Sequence, residues 1–153
     1  MTYESLLIEA EKEGIQFKEK KLEHDFKGLY CNGRIIIDTE LVTDSEKRCI
    51  LSEELGHHYK TVGDITDQTK IENRKQEIIA RRWGYEKLVG IVDLINAYNH
   101  GCKNRYEIAE RLNVTEEFLD EALEYYRCKY PNGFKIDNLW IDFNNGLNVL
   151  KKF

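Results

Sequence analysis

"CILSEELGHHYKT", residues 49–61, is the segment around which the rest of this chain can be arranged. Within it, Glu53, Glu54 and His57 have the spacing of the H-E-x-x-H metal-binding motif, with glutamate in place of the first histidine. The segment has three interpretations. It is a metal site built differently, a metal site that has lost its function, or an acidic helix that happens to contain histidines.

A helix over 45–62, capped by Thr43 or Asp44, is predicted for this segment, and its faces follow from a turn of about 100° per residue. Glu53 and His57 are one turn apart and can reach one metal ion, and zinc accepts a carboxylate oxygen as well as an imidazole nitrogen. On a surface helix the same pair is usually a solvated salt bridge. The apolar stripe of the helix comprises Leu51, Leu55, His58 and Val62.

His58 lies on that apolar stripe, and we expect it to be a packing residue or to support a ligand. Its spacing of one turn from Glu54 leaves open a shifted ligand set that uses His58.

A second helix follows a polar loop over 63–72 and is predicted to start at a capping box of Asn73 and Gln76. We expect it to run toward Tyr98, with an interruption at Gly84 or Gly90. Its inward stripe comprises Glu77, Ala80, Gly84, Leu88, Ile91 and Ile95.

Glu77 is therefore a carboxylate in the first turn of this helix, on the face that points toward the core. A buried, unpaired carboxylate costs several kcal/mol, so Glu77 needs a cation, hydrogen-bond donors or contact with water. A metal ion shared with the first helix would provide the cation. Alternatively, Glu77 stays hydrated and complements the helix dipole.

The remaining pattern predicts short helices with a small amount of strand, an α+β fold. The N-terminus is a helix, and its end is ambiguous between a hairpin and an extended strap. In chain order the predicted elements are a helix over 3–13 capped by Thr2, a β-hairpin turning at Asn32-Gly33, a helix from Asn104 to Leu112, a helix from Thr115 to about Arg127, and the ambiguous tail.

Composition limits the classes of protein to which the chain can belong. Its 153 residues are 41% apolar and 33% charged, as in one compact domain over 1–153, with 104–153 as a helical and extended C-terminal extension packed on it. No apolar run approaches the ~20 residues needed to cross a bilayer, and the acidic N-terminus is unlike a signal peptide. Four scattered cysteines are typical of reduced thiols, so a cytoplasmic location is expected.

Charge argues against a nucleic-acid or membrane partner, since both favour a basic surface and the net charge is −5. The segment "EIAERLNVTEEFLDEALEYY" has helix-turn-helix spacing and raises a DNA-binding regulator as an alternative. Residues 104–127, however, contain three arginines and seven acidic residues, which would meet phosphates unfavourably.

The chain resembles the ImmA/IrrE family of metallopeptidases, in particular its short phage and mobile-element members. The resemblance rests on "KGLY", "RIIID", "CILSEELGHHYKTVGDI", "NRKQEIIARRWGYEKLV" and "YEIAERLNVTEEFLDEALEYYRCKY". It implies a zincin-like α+β domain with the active-site helix packed on a small sheet. It also implies a zinc-dependent (Zn2+) endopeptidase whose partner is the helix-turn-helix repressor of the same element.

Position by position, the resemblance implies that His57 is a metal ligand, Glu54 the catalytic general base and Glu77 the acidic ligand. Glu53 stands where the typical member has its first histidine, which makes it the fourth candidate residue. This substitution leaves a second hypothesis open, namely an antirepressor that binds its partner without cutting it.

Overall fold

The computed structural model describes residues 2–61 and 69–151 and has a mixed α+β architecture, as predicted. The helices are α1 (Tyr3–Lys12), α2 (Asp44–Lys60), α3 (Ile71–Leu88), α4 (Ile91–Asn99), α5 (Arg105–Leu112) and α6 (Glu116–Lys129). The strands are β1 (Gln16–Glu19), β2 (Gly28–Cys31), β3 (Arg34–Ile37), β4 (Phe134–Ile136), β5 (Leu139–Asp142) and β6 (Asn148–Lys151). None of the helices within the described ranges has the length and apolar character needed to span a membrane.

The N-terminal sheet has the strand order β1-β3-β2 and packs on α2 through β2 and β3. The β2–β3 hairpin confirms the predicted turn, since Asn32 and Gly33 both have positive φ, the conformation that a tight two-residue hairpin requires. Strand β1 pairs in parallel with β3 and was not predicted. Its sequence, Gln-Phe-Lys-Glu, contains a single apolar residue, so it gives little strand signal without its partner.

Helix α2 begins where the sequence indicated. Thr43 is the N-cap: its hydroxyl accepts a hydrogen bond from the backbone N–H of Glu46, and the Glu46 carboxylate accepts one from the N–H of Thr43. Leu51 and Leu55 are fully buried, as their stripe predicts. Val62, the last residue of that stripe and of the predicted helix, lies outside the described residues, as does 63–68 of the predicted polar loop.

Two glycines let α2 and α3 approach each other closely. A Cβ atom on Gly56 would collide with the backbone carbonyl of Ala80, and one on Gly84 would lie 2.9 Å from Oγ of Ser52. Gly56 and Gly84 have no Cβ, and the residues opposite them, Ala80 and Ser52, have small side chains. The two helix backbones are therefore nearly in contact. This close crossing sets which side chains of α2 and α3 can meet.

The predicted start of the second helix was wrong. Helix α3 begins at Ile71, with Lys70 as an N-cap that makes no side-chain capping bond, and Asn73 is a buried residue within the helix. The predicted interruption does occur, and of the two candidate glycines it falls at Gly90, the N-cap of α4. Gly84 continues the helix.

The C-terminal part begins with α5 and α6, whose N-caps are Asn104 and Thr115 as predicted. The ambiguous tail is a three-stranded antiparallel sheet in the order β4-β5-β6, and the turn between β5 and β6 contains Asn145 and Gly146, both with positive φ. The hydroxyl of Tyr126 on α6 donates to the carbonyl oxygen of Val89 at 2.7 Å and ties this part to the end of α3.

Candidate metal and catalytic site

His57 and Glu77 meet at the crossing of α2 and α3. The Nε2 atom of His57 lies 3.1 Å from Oε2 of Glu77, and the side chains are 8% and 21% exposed. The other ring nitrogen, Nδ1, lies 3.5 Å from the hydroxyl of Thr61, whose Oγ1 donates to the backbone carbonyl of His57 at 2.7 Å. The imidazole is therefore held at both ends and presents Nε2 to the second helix.

Glu53 lies one turn before His57 on the same face of α2. Its side chain is 25% exposed, and its Oε1 atom accepts a hydrogen bond from Nε of Arg81 at 3.3 Å. The same nitrogen lies 3.4 Å from Oε1 of Glu77. One guanidinium therefore contacts a carboxylate from each helix.

Glu54 is buried between α2 and the N-terminal sheet. A Cβ atom on Gly28, in strand β2, would lie 2.8 Å from Oε1 of Glu54, so the glycine makes room for this carboxylate. Within the described ranges the carboxylate has no hydrogen-bond or ion-pair partner. Its oxygens are not among the fully buried, unpartnered polar atoms of the described residues, so the carboxylate keeps some contact with solvent, and a proton or a cation would stabilise its charge further.

The pKa values of the three glutamates at this site are shifted in different directions. Burial first, and then the charges of Glu53 and Glu77, raise the pKa of Glu54 well above its ordinary value. Burial and a hydrogen bond to Glu77 also raise the pKa of Glu53. For Glu77 burial acts upward, but hydrogen bonds from His57 and Glu53 and the charges of His57 and Arg81 outweigh it and lower the pKa.

His58 is turned away from this cluster. Its Nδ1 atom lies 2.9 Å from the hydroxyl oxygen of Tyr30 on β2, and its ring packs edge-on against Tyr30 and Tyr59. The hydroxyl of Tyr30 also accepts a hydrogen bond from the backbone N–H of Gly33. His58 is thus a packing residue that joins α2 to the hairpin, as its place on the apolar stripe predicts.

The donor set suits a divalent cation. Glu53, His57 and Glu77 each offer one ligand atom, and these atoms lie within 4.8 Å of one another. One imidazole nitrogen and two carboxylate oxygens are ligands that zinc accepts, and three protein ligands leave a position for water or substrate. Among the described residues, no other group of three histidine, cysteine or acidic side chains brings its ligand atoms this close together.

Arg81 is the residue at this site that the sequence interpretation missed. A signal was present, because Glu77 and Arg81 are spaced i,i+4 on a helix, where opposite charges attract. Its contact with Glu53 on the other helix could not be predicted, since that contact depends on how closely α2 and α3 cross.

The fold and the site together have the features of a zincin-like metallopeptidase: a helix carrying the motif, a small sheet behind it and a second helix that completes the cluster. Residues 10–124 match the family model described as the IrrE N-terminal-like domain, and the chain belongs to this ImmA/IrrE family of peptidases. Neither the curated proteins nor the solved structures include a significant match to the chain.

Proposed function

We propose that the chain is a zinc-dependent endopeptidase in which His57, Glu77 and Glu53 hold the metal and Glu54 is the general base. One observation carries the proposal: an imidazole nitrogen and carboxylates from two helices converge within 4.8 Å, next to the buried carboxylate of Glu54. Membership of a peptidase family supports the reaction class.

The residues of the chain divide the work of peptide hydrolysis. Zinc held by Glu53, His57 and Glu77 would act as a Lewis acid and would lower the pKa of a coordinated water to about 7. The Glu54 carboxylate accepts a proton from the attacking water and returns one to the leaving amine. Burial and the charges of Glu53 and Glu77 raise the pKa of Glu54, which makes its carboxylate a stronger base than an ordinary glutamate.

The proposed substrate is a helix-turn-helix repressor of a phage or mobile element, the target that the family resemblance implies. The surface of α5 and α6 is compatible with a basic protein partner and unfavourable for direct binding to phosphates. Its exposed acidic residues are Glu110, Glu116, Glu117, Asp120, Glu121 and Glu124. Arg105 on this surface is already paired with Glu116 and Asp120.

A second function, binding of the repressor without cleavage, is favoured by a different observation. Arg81 contacts both Glu53 and Glu77, and His57 contacts Glu77, so these two carboxylates have partners without a metal ion. A site whose carboxylates are paired with Arg81 and His57 is compatible with a protein that no longer cleaves.

The decisive experiment incubates the zinc-loaded full chain with a helix-turn-helix repressor of the proposed class and searches for fragments by mass spectrometry. Cleavage that stops with a chelator and in Glu54→Gln supports the peptidase. Stable binding of the intact repressor by the zinc-loaded chain supports the antirepressor instead. Saturable, sequence-selective binding to DNA in the absence of repressor would contradict both.

A further inference from the structure

Arg81 occupies a position between the two helices of the site. It lies on α3 one turn after Glu77, and its Nε atom is 3.3 Å from Oε1 of Glu53 and 3.4 Å from Oε1 of Glu77. The opposite oxygen of Glu77, Oε2, faces Nε2 of His57 at 3.1 Å. The guanidinium therefore fixes one oxygen of the Glu77 carboxylate and leaves the other directed at the imidazole.

The charge of the cluster explains why an arginine is suited to this place. A glutamate in place of a neutral imidazole adds one negative charge beside Glu54 and Glu77. Arg81 adds one positive charge, so Glu53 and Arg81 together contribute no net charge, as a neutral histidine would. Within the described ranges no other lysine or arginine lies within 4.0 Å of these carboxylates.

We propose that Arg81 is a positioning residue that enables Glu53 to serve at the first ligand position, by holding Glu53 and Glu77 in register with His57. This inference rests on the proposed metal site. It assigns no contact between Arg81 and the metal. Its role is to orient and neutralise the carboxylates, as hydrogen-bonded partners of ligands commonly do in metal sites.

Two opposing effects of Arg81 on a bound cation can be compared. Its positive charge repels the cation, but the side chain is 49% exposed, so water screens that repulsion. Its Nε donates a hydrogen bond to Glu53 and lies 3.4 Å from Glu77, so it holds the two carboxylates in place and offsets their repulsion when both are charged. Orientation is therefore the larger effect, and removal of Arg81 weakens metal binding.

The test measures zinc affinity by competition with a chromophoric chelator, using full-length protein. Arg81→Met removes the charge, the hydrogen bond to Glu53 and the ion pair with Glu77 while keeping much of the side-chain volume, and we expect affinity to fall about 10- to 100-fold. Arg81→Lys keeps the charge but not the forked geometry, so it should give a smaller loss. Arg82→Met is the matched control, because Arg82 is on the same helix but lies over the ring of Tyr125.

A double-mutant cycle separates positioning from a general structural role. With Glu53→His in place, the extra negative charge is gone and only the contact with Glu77 remains, so Arg81→Met should then lower zinc affinity by a clearly smaller factor than in the native background. Circular dichroism of each metal-free variant checks the fold. If Arg81→Met unfolds the chain, the same cycle is run with Arg81→Lys.

The outcomes distinguish the inference from the proposed function. Saturable zinc binding by the native chain, weakened more by Arg81→Met when residue 53 is glutamate than when it is histidine, supports the inference. Unchanged or tighter binding in Arg81→Met, or equal losses with glutamate and histidine at position 53, overturns the inference and leaves the proposed function intact. A native chain that binds no more zinc than His57→Ala overturns the proposed function and this inference with it.

Discussion

Nε2 of His57 and Oε2 of Glu77 lie 3.1 Å apart although they belong to different helices. The motif on α2 fixes only the spacing of Glu53, Glu54 and His57. The close crossing at Gly56 and Ala80 is what brings Glu77 to them. The site therefore depends on backbone packing as much as on the identity of its acidic residues.

The role of Glu54 predicts a variant that loses activity and keeps its fold. Glu54→Gln should lower the rate of repressor cleavage about 100- to 10,000-fold, the usual effect of losing a general base. Zinc affinity should be preserved. Thermal stability of the metal-free protein should be equal or higher, because a neutral amide removes the unfavourable burial of a charge.

A matched substitution, Glu72→Gln, changes an exposed glutamate on α3 and should leave the cleavage rate unaltered. Cleavage at the native rate by Glu54→Gln would remove Glu54 from the mechanism.

The helix crossing predicts a steric effect of Gly56→Ala. The new methyl group meets the backbone of Ala80, which cannot rotate away, so the helices must separate. Overpacking of this kind costs about 1–3 kcal/mol and exceeds the gain of up to ~1 kcal/mol in helix propensity. Denaturant unfolding should show the loss of stability, and zinc affinity should fall with it.

Gly84→Ala is the comparison, because its methyl group meets a side-chain atom, the hydroxyl of Ser52 at 2.9 Å, instead of a backbone carbonyl, and should cost less stability. Equal stabilities for the two alanine variants would mean that contact with the Ala80 backbone does not set the helix separation.

The cap of α2 predicts a pH-dependent stability. Hydrogen bonds from the backbone N–H groups of Thr43 and Val42 lower the pKa of Glu46 below its ordinary 4.5. A carboxyl with a lowered pKa stabilises the folded state above its unfolded-state pKa, and that contribution disappears as the pH falls through the folded-state value. Glu46→Gln should therefore be less stable than the native chain at pH 7, with the difference narrowing below pH 4.5.

Urea unfolding of both proteins across this pH range measures the effect. A difference in stability that stays constant down to the acid limit would show that the Glu46 charge is unimportant to the cap.

The cysteines predict a pattern of thiol reactivity. Burial raises the pKa of Cys49 to about 11, whereas Cys31 and Cys128 are exposed. Because the thiolate is the reactive form, iodoacetamide at pH 8 should modify Cys31 and Cys128 well before Cys49 in the native protein. Peptide mapping gives the order, and all four cysteines should react after unfolding. Early modification of native Cys49 would contradict its placement in the core.

Local signals predicted much of the fold. The caps Thr2, Thr43, Asn104 and Thr115 and the Asn32-Gly33 turn were all found, because each depends on residues close together in the chain. Strand β1 was missed because its stability comes from pairing with β3. The start of α3 was misplaced because Asn73, which has the character of a cap, is instead buried within the helix.

In the candidate site, too, the residues indicated by local patterns were predicted, and the contacts that depend on tertiary packing were not. The motif spacing and the inward stripe of the second helix indicated Glu53, Glu54, His57 and Glu77 from the sequence. The contacts of Arg81 with carboxylates of both helices depend on a helix crossing that no local pattern encodes.

The most direct measurement is anomalous diffraction at the zinc absorption edge from crystals of the zinc-loaded protein. We expect one ion within about 2.0–2.2 Å of both Nε2 of His57 and a carboxylate oxygen of Glu77, with Glu53 as the third protein ligand. An ion bound elsewhere, or a cluster that stays free of metal at saturating zinc, would contradict this expectation.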